Sequence, residues 1–177
     1  MKSWKITKSK TVFKCKYFKV LDEDFVKPSG KKHKWFIFDT NDYVVIIAKE
    51  KDFFYLVEQY RYTTKSKLLQ VIAGVVEKNE TPLMTAKKEL KEEAGITAKK
   101  IKKLGWYYAN YGCSNQKAHV FLAEDLKIGE QKPDGFEKES GIKRKKLKIS
   151  EVEKLIKSGR IKDHDTLAAF CLFMLKH

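Results

Sequence analysis

Residues 74–96 read GVVEKNETPLMTAKKELKEEAGI and carry the signature of a loop followed by a capped helix. Thr81 can cap the free N–H groups of a helix, and Pro82 suits the first helical position, where no N–H is needed. Leu83, Ala86, Leu90 and Ala94 recur at helical spacing, which predicts a helix over Pro82–Ala94 with one apolar face. Gly95 can end it in the left-handed conformation open to glycine. Glu89, Glu92 and Glu93 stand at i, i+3 and i+4, so they share an arc of roughly 100° turned away from the apolar face. Three like charges on neighbouring positions repel unless a cation offsets them. A hard divalent ion such as Mg²⁺ does so through oxygen ligands. On an isolated helix, the ordinary reading is a solvated acidic face with a Lys88–Glu92 ion pair.

Upstream, the pattern is that of strands. Residues 11–20 and 35–38 are rich in β-formers around the turn Pro28-Ser29-Gly30; residues 43–48 and 53–59 follow, separated by a charged turn. Residues 68–76 form an apolar, β-branched run interrupted by Ala73-Gly74. Downstream, residues 106–108 and 117–124 read as strands around the polar loop 110–116. Residues 127–141 read as a loop and 142–149 as a strand. Ser150-Glu151-Val152-Glu153 reads as a capping box opening a helix that stops at Gly159, and residues 163–176 as a buried helix. Helices interleaved with mixed strands give an α/β or α+β class with layered packing.

A chain of 177 residues with 42% hydrophobic content is long enough for one well-formed core, with or without a small appendage. No apolar run is long enough to span a membrane, and Met1 to Lys10 lacks the apolar segment of a signal peptide. Three cysteines without metal-ligand spacing point to a reduced, cytoplasmic setting. The net charge of +15 has two readings: an anionic partner, nucleic acid included, or a lysine-rich composition spread along the chain. Arginines, the usual choice for base and phosphate forks, are few.

The longer spacing sets the isolated-helix reading aside. Gly74, Glu80, Lys88, Glu89, Leu90, Glu92, Glu93, Gly95 and Ile96 resemble the Nudix box at every defining position except Lys88, where the family has Arg. At about 7% usage for each Gly or Glu, a chance match is on the order of one in a million. The resemblance implies a Nudix α/β/α sandwich and metal-dependent cleavage of a diphosphate linkage. It implies Mg²⁺, with Mn²⁺ as a substitute, on Glu89, Glu92 and Glu93. Glu80 braces the loop and orients residue 88. Lys88 keeps the charge of Arg but not its planar fork.

Beyond the box, the chain resembles the ADP-ribose pyrophosphatase and nucleoside-diphosphate-sugar hydrolase branch in three stretches. They are Val57-Glu58-Gln59-Tyr60-Arg61, Leu68-Leu69-Gln70-Val71-Ile72-Ala73-Gly74, and residues 156–169. The branch implies that the Ala73 carbonyl binds metal, that Arg61 contacts substrate, and that Gly74 turns the backbone beside the metal. Phe36 or Phe38 would stack on a base; their other reading is as core strand residues. A glutamate from the loop 127–141 would act as base, with Glu139 the first candidate and Glu137 the second. Gln70 and Ile72 depart from the Glu and Pro of many members, and a downstream Pro tied to ADP-ribose is absent from residues 107–116. This leaves nucleotide sugars such as GDP-mannose open as substrates beside ADP-ribose. The branch further implies a homodimer through an N-terminal β subdomain, residues 1–42, ahead of a hydrolase domain, residues 43–177. Two rival functions remain: removal of pyrophosphate from an RNA 5′ end, and a catalytically weak nucleotide- or RNA-binding module.

Overall fold

The computed structural model describes residues 3–176, which fall into two compact units. The first comprises the N-terminal segment through Asp42 together with Tyr107–Lys117; the second comprises Tyr43–Trp106 and the chain from Ala118 onward. Residues 107–117, read from sequence as part of the hydrolase domain, thus join the N-terminal unit.

The first unit is an antiparallel meander of β1 (Lys5–Lys14), β2 (Lys19–Val26) and β3 (Lys32–Asp39). The run expected as a single strand over residues 11–20 is instead folded at its middle. The Cys15 N–H donates to the Phe18 carbonyl at 3.0 Å, and the chain reverses between β1 and β2. Alternation in that run is only partial, so periodicity could not reveal the turn. Between β2 and β3 the chain turns through Gly30 at φ +84°, a conformation that favours glycine. Loop 110–116 is held to β3, with the Phe38 N–H donating to the Cys113 carbonyl at 2.7 Å.

The second unit is a layered sandwich. Its strands are β4 (Tyr43–Glu50), β5 (Phe53–Arg61), β6 (Ser66–Gln70), β7 (Ile72–Val75), β8 (Ile96–Tyr108), β9 (Lys117–Ile128) and β10 (Lys143–Lys148). The order is β10-β5-β4-β9-β8, with β6 paired to β5 and β7 to β4. The β4–β9 pairing is parallel, whereas β4–β5, β5–β10, β5–β6 and β4–β7 are antiparallel. The apolar run expected over residues 68–76 is therefore two strands on different partners. β8 extends far beyond the expected 106–108: its lysines stand in exposed pairs, Lys99-Lys100 and Lys102-Lys103, between Ala98, Ile101 and Leu104, so the two-residue alternation of a strand is missing.

β4 reads Val-Val-Ile-Ile-Ala from position 44 to 48 and is buried throughout, because both faces of the sheet are covered. On one face Val44, Ile46, Tyr55, Val57 and Ile72 pack with Ala86, Leu90 and Ala94 of α1 (Pro82–Ala94). On the other face Phe54 meets Phe170 and Phe173 of α4 (His164–Met174) edge-on, with centroids 5.7 and 5.1 Å apart. Val152 of α3 (Ile149–Lys157) is fully buried on that side. Burial of side chains of this size contributes about 1.5–3 kcal/mol each. The Val71 N–H donates to the Thr166 hydroxyl at 2.9 Å, tying the start of α4 to the junction between β6 and β7.

Several helix details differ from the sequence reading. Leu83 is exposed and does not belong to the apolar face of α1, where Thr85 takes the buried place. α2 (Gly135–Glu139) interrupts the expected loop, opened by a capping box between Asp134 and Glu137. α3 starts one residue before Ser150, and Glu151 closes its box onto the Lys148 N–H at 2.7 Å. In α4, Cys171 and Met174 are exposed, because the helix covers one sheet face only.

Candidate active site

The sequence builds the site from both ends of α1. At its start the Thr81 hydroxyl accepts from the Met84 N–H at 3.3 Å, and the Thr85 hydroxyl donates to Glu80 at 2.7 Å. Lys88 stands 3.6 Å from Glu80. Glu80 is thereby held ionised: the Thr85 bond, then Lys88, lower its carboxyl below the usual range against the opposing effect of burial. Burial works against the Lys88 charge, but the surrounding Glu80, Glu89 and Glu92 outweigh it and raise the ammonium.

The C-terminal end of α1 is an anchor. Its last carbonyls, which no helix can satisfy internally, are taken up by the segment after β9. Gln131 donates to the Glu93 carbonyl at 2.5 Å, the Lys132 N–H to Glu92 at 3.1 Å, and Arg144 to Ala94 at 2.5 Å. Gly95 closes the helix at φ +63°, with the Glu130 carbonyl carbon only 2.5 Å from where a Cβ would stand. The segment continues into α2, whose end is tied to β5 through the Tyr60 N–H to the Ser140 carbonyl, 3.1 Å. The Ser140 hydroxyl also approaches Gln59 at 3.2 Å.

This docking brings Glu137 to α1. One oxygen from each of Glu89, Glu93 and Glu137 lies within 4.8 Å of the other two. Glu89 and Glu93 are buried, contrary to a freely solvated acidic face, and Glu92 is half-buried beside them. Glu139 is exposed and outside the cluster. Burial pushes Glu89 up to about 7, with Lys88 opposing and Glu137 and Glu92 adding to the rise. Burial, then Glu137, pushes Glu93 well above the carboxylate range, against the Ala73 N–H that donates to it at 3.2 Å. Glu137 is raised by its own burial, with Asp134 and Glu92 adding to the rise. Three carboxylates so crowded are uncomfortable as a set of anions. A divalent cation fits this donor set, because its charge offsets both the repulsion and the desolvation.

A cleft of about 690 Å³ opens beside the cluster, lined by Ala73, Gly74, Arg61 and Gln70 and, farther on, by Tyr43 and residues 162–165. Arg61, at the end of β5, donates from Nε to Gln70 at 3.0 Å and exerts a stabilising charge on ionised Glu93. Gly74 is required for close approach, since a Cβ there would collide with the Glu89 carboxyl. Phe36 stands exposed on β3 of the first unit, not in a strand core; Phe38 is the packed ring, 4.5 Å from Phe18. The Arg61–Gln70 tether, the anchor formed by Gln131 and Arg144, and the wall at residues 162–165 were not read from sequence. Each joins residues brought together only by the fold.

Comparison with known proteins agrees with this geometry. Residues 39–170 match the NUDIX domain model. The chain is 32% identical to an ADP-ribose pyrophosphatase of Bacillus subtilis (strain 168), over 97% of this chain and 96% of that protein. It is 26% identical to a GDP-mannose pyrophosphatase of Escherichia coli O1:K1 / APEC, over 87% and 85%. A crystal structure of an ADP compounds hydrolase superposes with a TM-score of 0.85 at 22% identity, covering 97% of this chain and 92% of the other. That likeness shows the same fold.

Proposed function

The chain belongs to the NUDIX domain family, and on that premise we propose that it hydrolyses the diphosphate linkage of a nucleoside diphosphate derivative, giving a nucleoside monophosphate and a sugar phosphate. The observation that carries this reading is the convergence of Glu89, Glu93 and Glu137 beside the cleft that holds Arg61. ADP-ribose and nucleotide sugars such as GDP-mannose are the substrate candidates, by likeness to the two pyrophosphatases.

Glu89, Glu92 and Glu93, with the Ala73 carbonyl, are the residues assigned to hold Mg²⁺ or Mn²⁺. Bound there, the ion would supply charge neutralisation on the diphosphate and a lower pKa for water. The protein supplies the rest. Arg61, held by Gln70 through Nε, keeps the outer edge of its guanidinium for a phosphate oxygen. Glu137, the glutamate of residues 127–141 that reaches the cluster, takes the proton of the attacking water. Gly74 lets its own strand lie against the Glu89 carboxyl, and Glu80 orients Lys88.

Two further assignments belong to the same reading. The N-terminal sheet supports a homodimer: β1 is an edge strand exposed along its whole length, and Ile6, Phe13, Trp35 and Phe36 are exposed on the sheet. A cytoplasmic setting is supported by three cysteines present as free thiols. No helix among the described residues is long and apolar enough to cross a membrane.

The test is turnover of ADP-ribose and GDP-mannose by the wild type and by Glu93→Gln, with Mg²⁺ and then Mn²⁺. We expect hydrolysis by the wild type and a loss of roughly a hundredfold or more in the variant. A folded Glu93→Gln that works at the wild-type rate would sink the assignment.

A further inference from the structure

The cleft beside the glutamates runs past the residues needed for diphosphate chemistry. Its volume of about 690 Å³ is that of a ligand pocket, within the ~300–1,000 Å³ typical of such sites. At one place it is bounded by Ala73 and Gly74, which touch Glu93 and Glu89. At another it is bounded by the turn into α4, where Lys162, His164 and Asp165 stand against Tyr43 of β4. The Tyr43 hydroxyl donates to the Asp165 carboxylate at 2.5 Å, and the His164 ring lies 3.4 Å from that hydroxyl and 3.2 Å from Asp165.

We propose that this wall, Tyr43 and Asp165 with His164 beside them, is the subsite that selects the hydroxyl-bearing sugar arm of the substrate. The inference rests on the reaction assigned above. A diphosphate placed at the glutamates sends one arm into this cleft. The lining there offers the further acceptor capacity of the Asp165 carboxylate, the Tyr43 oxygen as an acceptor, an imidazole that can donate or accept, and the hydroxyls of Thr63, Thr64 and Ser66. Such a set matches the paired donors and acceptors of sugar hydroxyls. A nucleobase is matched less well, because Tyr43 is the sole aromatic ring among the lining side chains apart from the His164 imidazole. The position of the wall is fixed by the Val71–Thr166 bond, so Asp165 is presented from a rigid helix start. Asp165 keeps 23% of its side chain exposed and His164 63%, which leaves both reachable from the cleft.

The experiment is a binding titration with two non-hydrolysable probes, the α,β-methylene analogue of ADP-ribose and α,β-methylene ADP, which lacks the sugar arm. The wild type should bind the first at least about tenfold more tightly than the second, the gain expected from one or two charge-assisted hydrogen bonds. Asp165→Asn and Tyr43→Phe should each remove roughly tenfold of the affinity for the sugar-bearing probe while leaving that for α,β-methylene ADP within about twofold. Tyr43→Phe deletes a single hydroxyl and so guards against a folding defect in the Asp165 variant. Equal weakening of both probes, no weakening of either, or a wild type that does not prefer the sugar-bearing probe would each overturn the subsite. Failure of the reaction assignment shows separately, as absence of ADP-ribose turnover by a wild type that still displays the binding pattern.

Discussion

No Cβ fits at position 74, because the carboxyl group of Glu89 occupies the space it would take. The glycine that opens the loop and the first glutamate of the cluster are thus a matched pair, fifteen positions apart in sequence and in contact in the fold. Gly74→Ala should therefore act on catalysis through Glu89. A displacement of about 1 Å in a positioned group costs on the order of a hundredfold in rate. We expect a loss of that size in kcat with unchanged far-UV circular dichroism. Near-wild-type turnover would mean that Glu89 has room to move without consequence.

The buried carboxyls set the pH response of the metal-free protein. Glu89 goes from an ordinary 4.5 to about 7, and Glu93 and Glu137 are raised by the same cause, burial; the charges of Glu137 and Glu89 add to the rise at Glu93, and those of Asp134 and Glu92 to the rise at Glu137. The folded state then holds more protons than the unfolded state between these limits, so stability falls as pH rises. With EDTA present, Tm should be highest near pH 5 and should drop as pH climbs through about 7. Mg²⁺ should recover stability chiefly on the alkaline side, where the carboxylates are ionised. A metal-free Tm that climbs from pH 5 to pH 7.5 would contradict the buried cluster.

How much of this was legible beforehand depends on the range of the interactions involved. α1 was readable to the residue at both ends, because Thr81, Pro82 and Gly95 act locally. β4 and β5 were visible as short apolar runs. The division of residues 68–76 between two partner strands was not, since nothing local distinguishes Gln70 from Ile72 as a point of exchange. The glutamates were found by spacing, but their burial was hidden. It follows from the cover supplied by residues 129–140, whose docking rests on contacts such as Gln131 to the Glu93 carbonyl.

The Arg61–Gln70 bond carries its own prediction. Gln70 is 6% exposed and accepts from Nε as a neutral amide, so the guanidinium charge stays available to a phosphate. Gln70→Glu keeps the shape and the acceptor but adds a competing anion. KM should rise roughly tenfold with kcat changed less, as expected when a ground-state and transition-state contact to phosphate is weakened alike. An unaltered KM would show that Arg61 does not touch the substrate.

Lys88 meets Glu80 at 3.6 Å through a single ammonium, with 40% of the lysine side chain exposed. Arginine would present a planar fork to the same carboxylate. Lys88→Arg should raise kcat by roughly threefold or more, less than the tenfold that 1.4 kcal/mol would give. The gain should vanish in a Glu80→Gln background, since the fork would have lost its carboxylate. A kinetic comparison of the four proteins in that cycle decides whether the pair is coupled.

Glu137 and Glu139 occupy the same short helix, yet only Glu137 reaches the cluster. Sequence reading ranks Glu139 first while residues 127–141 are taken as a loop, but the Asp134-x-x-Glu137 spacing is a local signal that sets the phase of so short a helix. The capping box fixes it: Asp134 accepts from the Glu137 N–H at 2.9 Å, and the Glu137 carboxylate accepts from the Asp134 N–H at 3.2 Å. Glutamine can close the same box, so Glu137→Gln should preserve α2 while removing the proton acceptor. We expect its kcat to fall by on the order of a hundredfold or more, the usual contribution of a general base. Glu139→Gln should stay within about twofold of the wild type, as an exposed change away from the reacting atoms. If the larger loss fell on Glu139→Gln, α2 would have to turn on substrate binding, and Glu137 would be left as a cap alone.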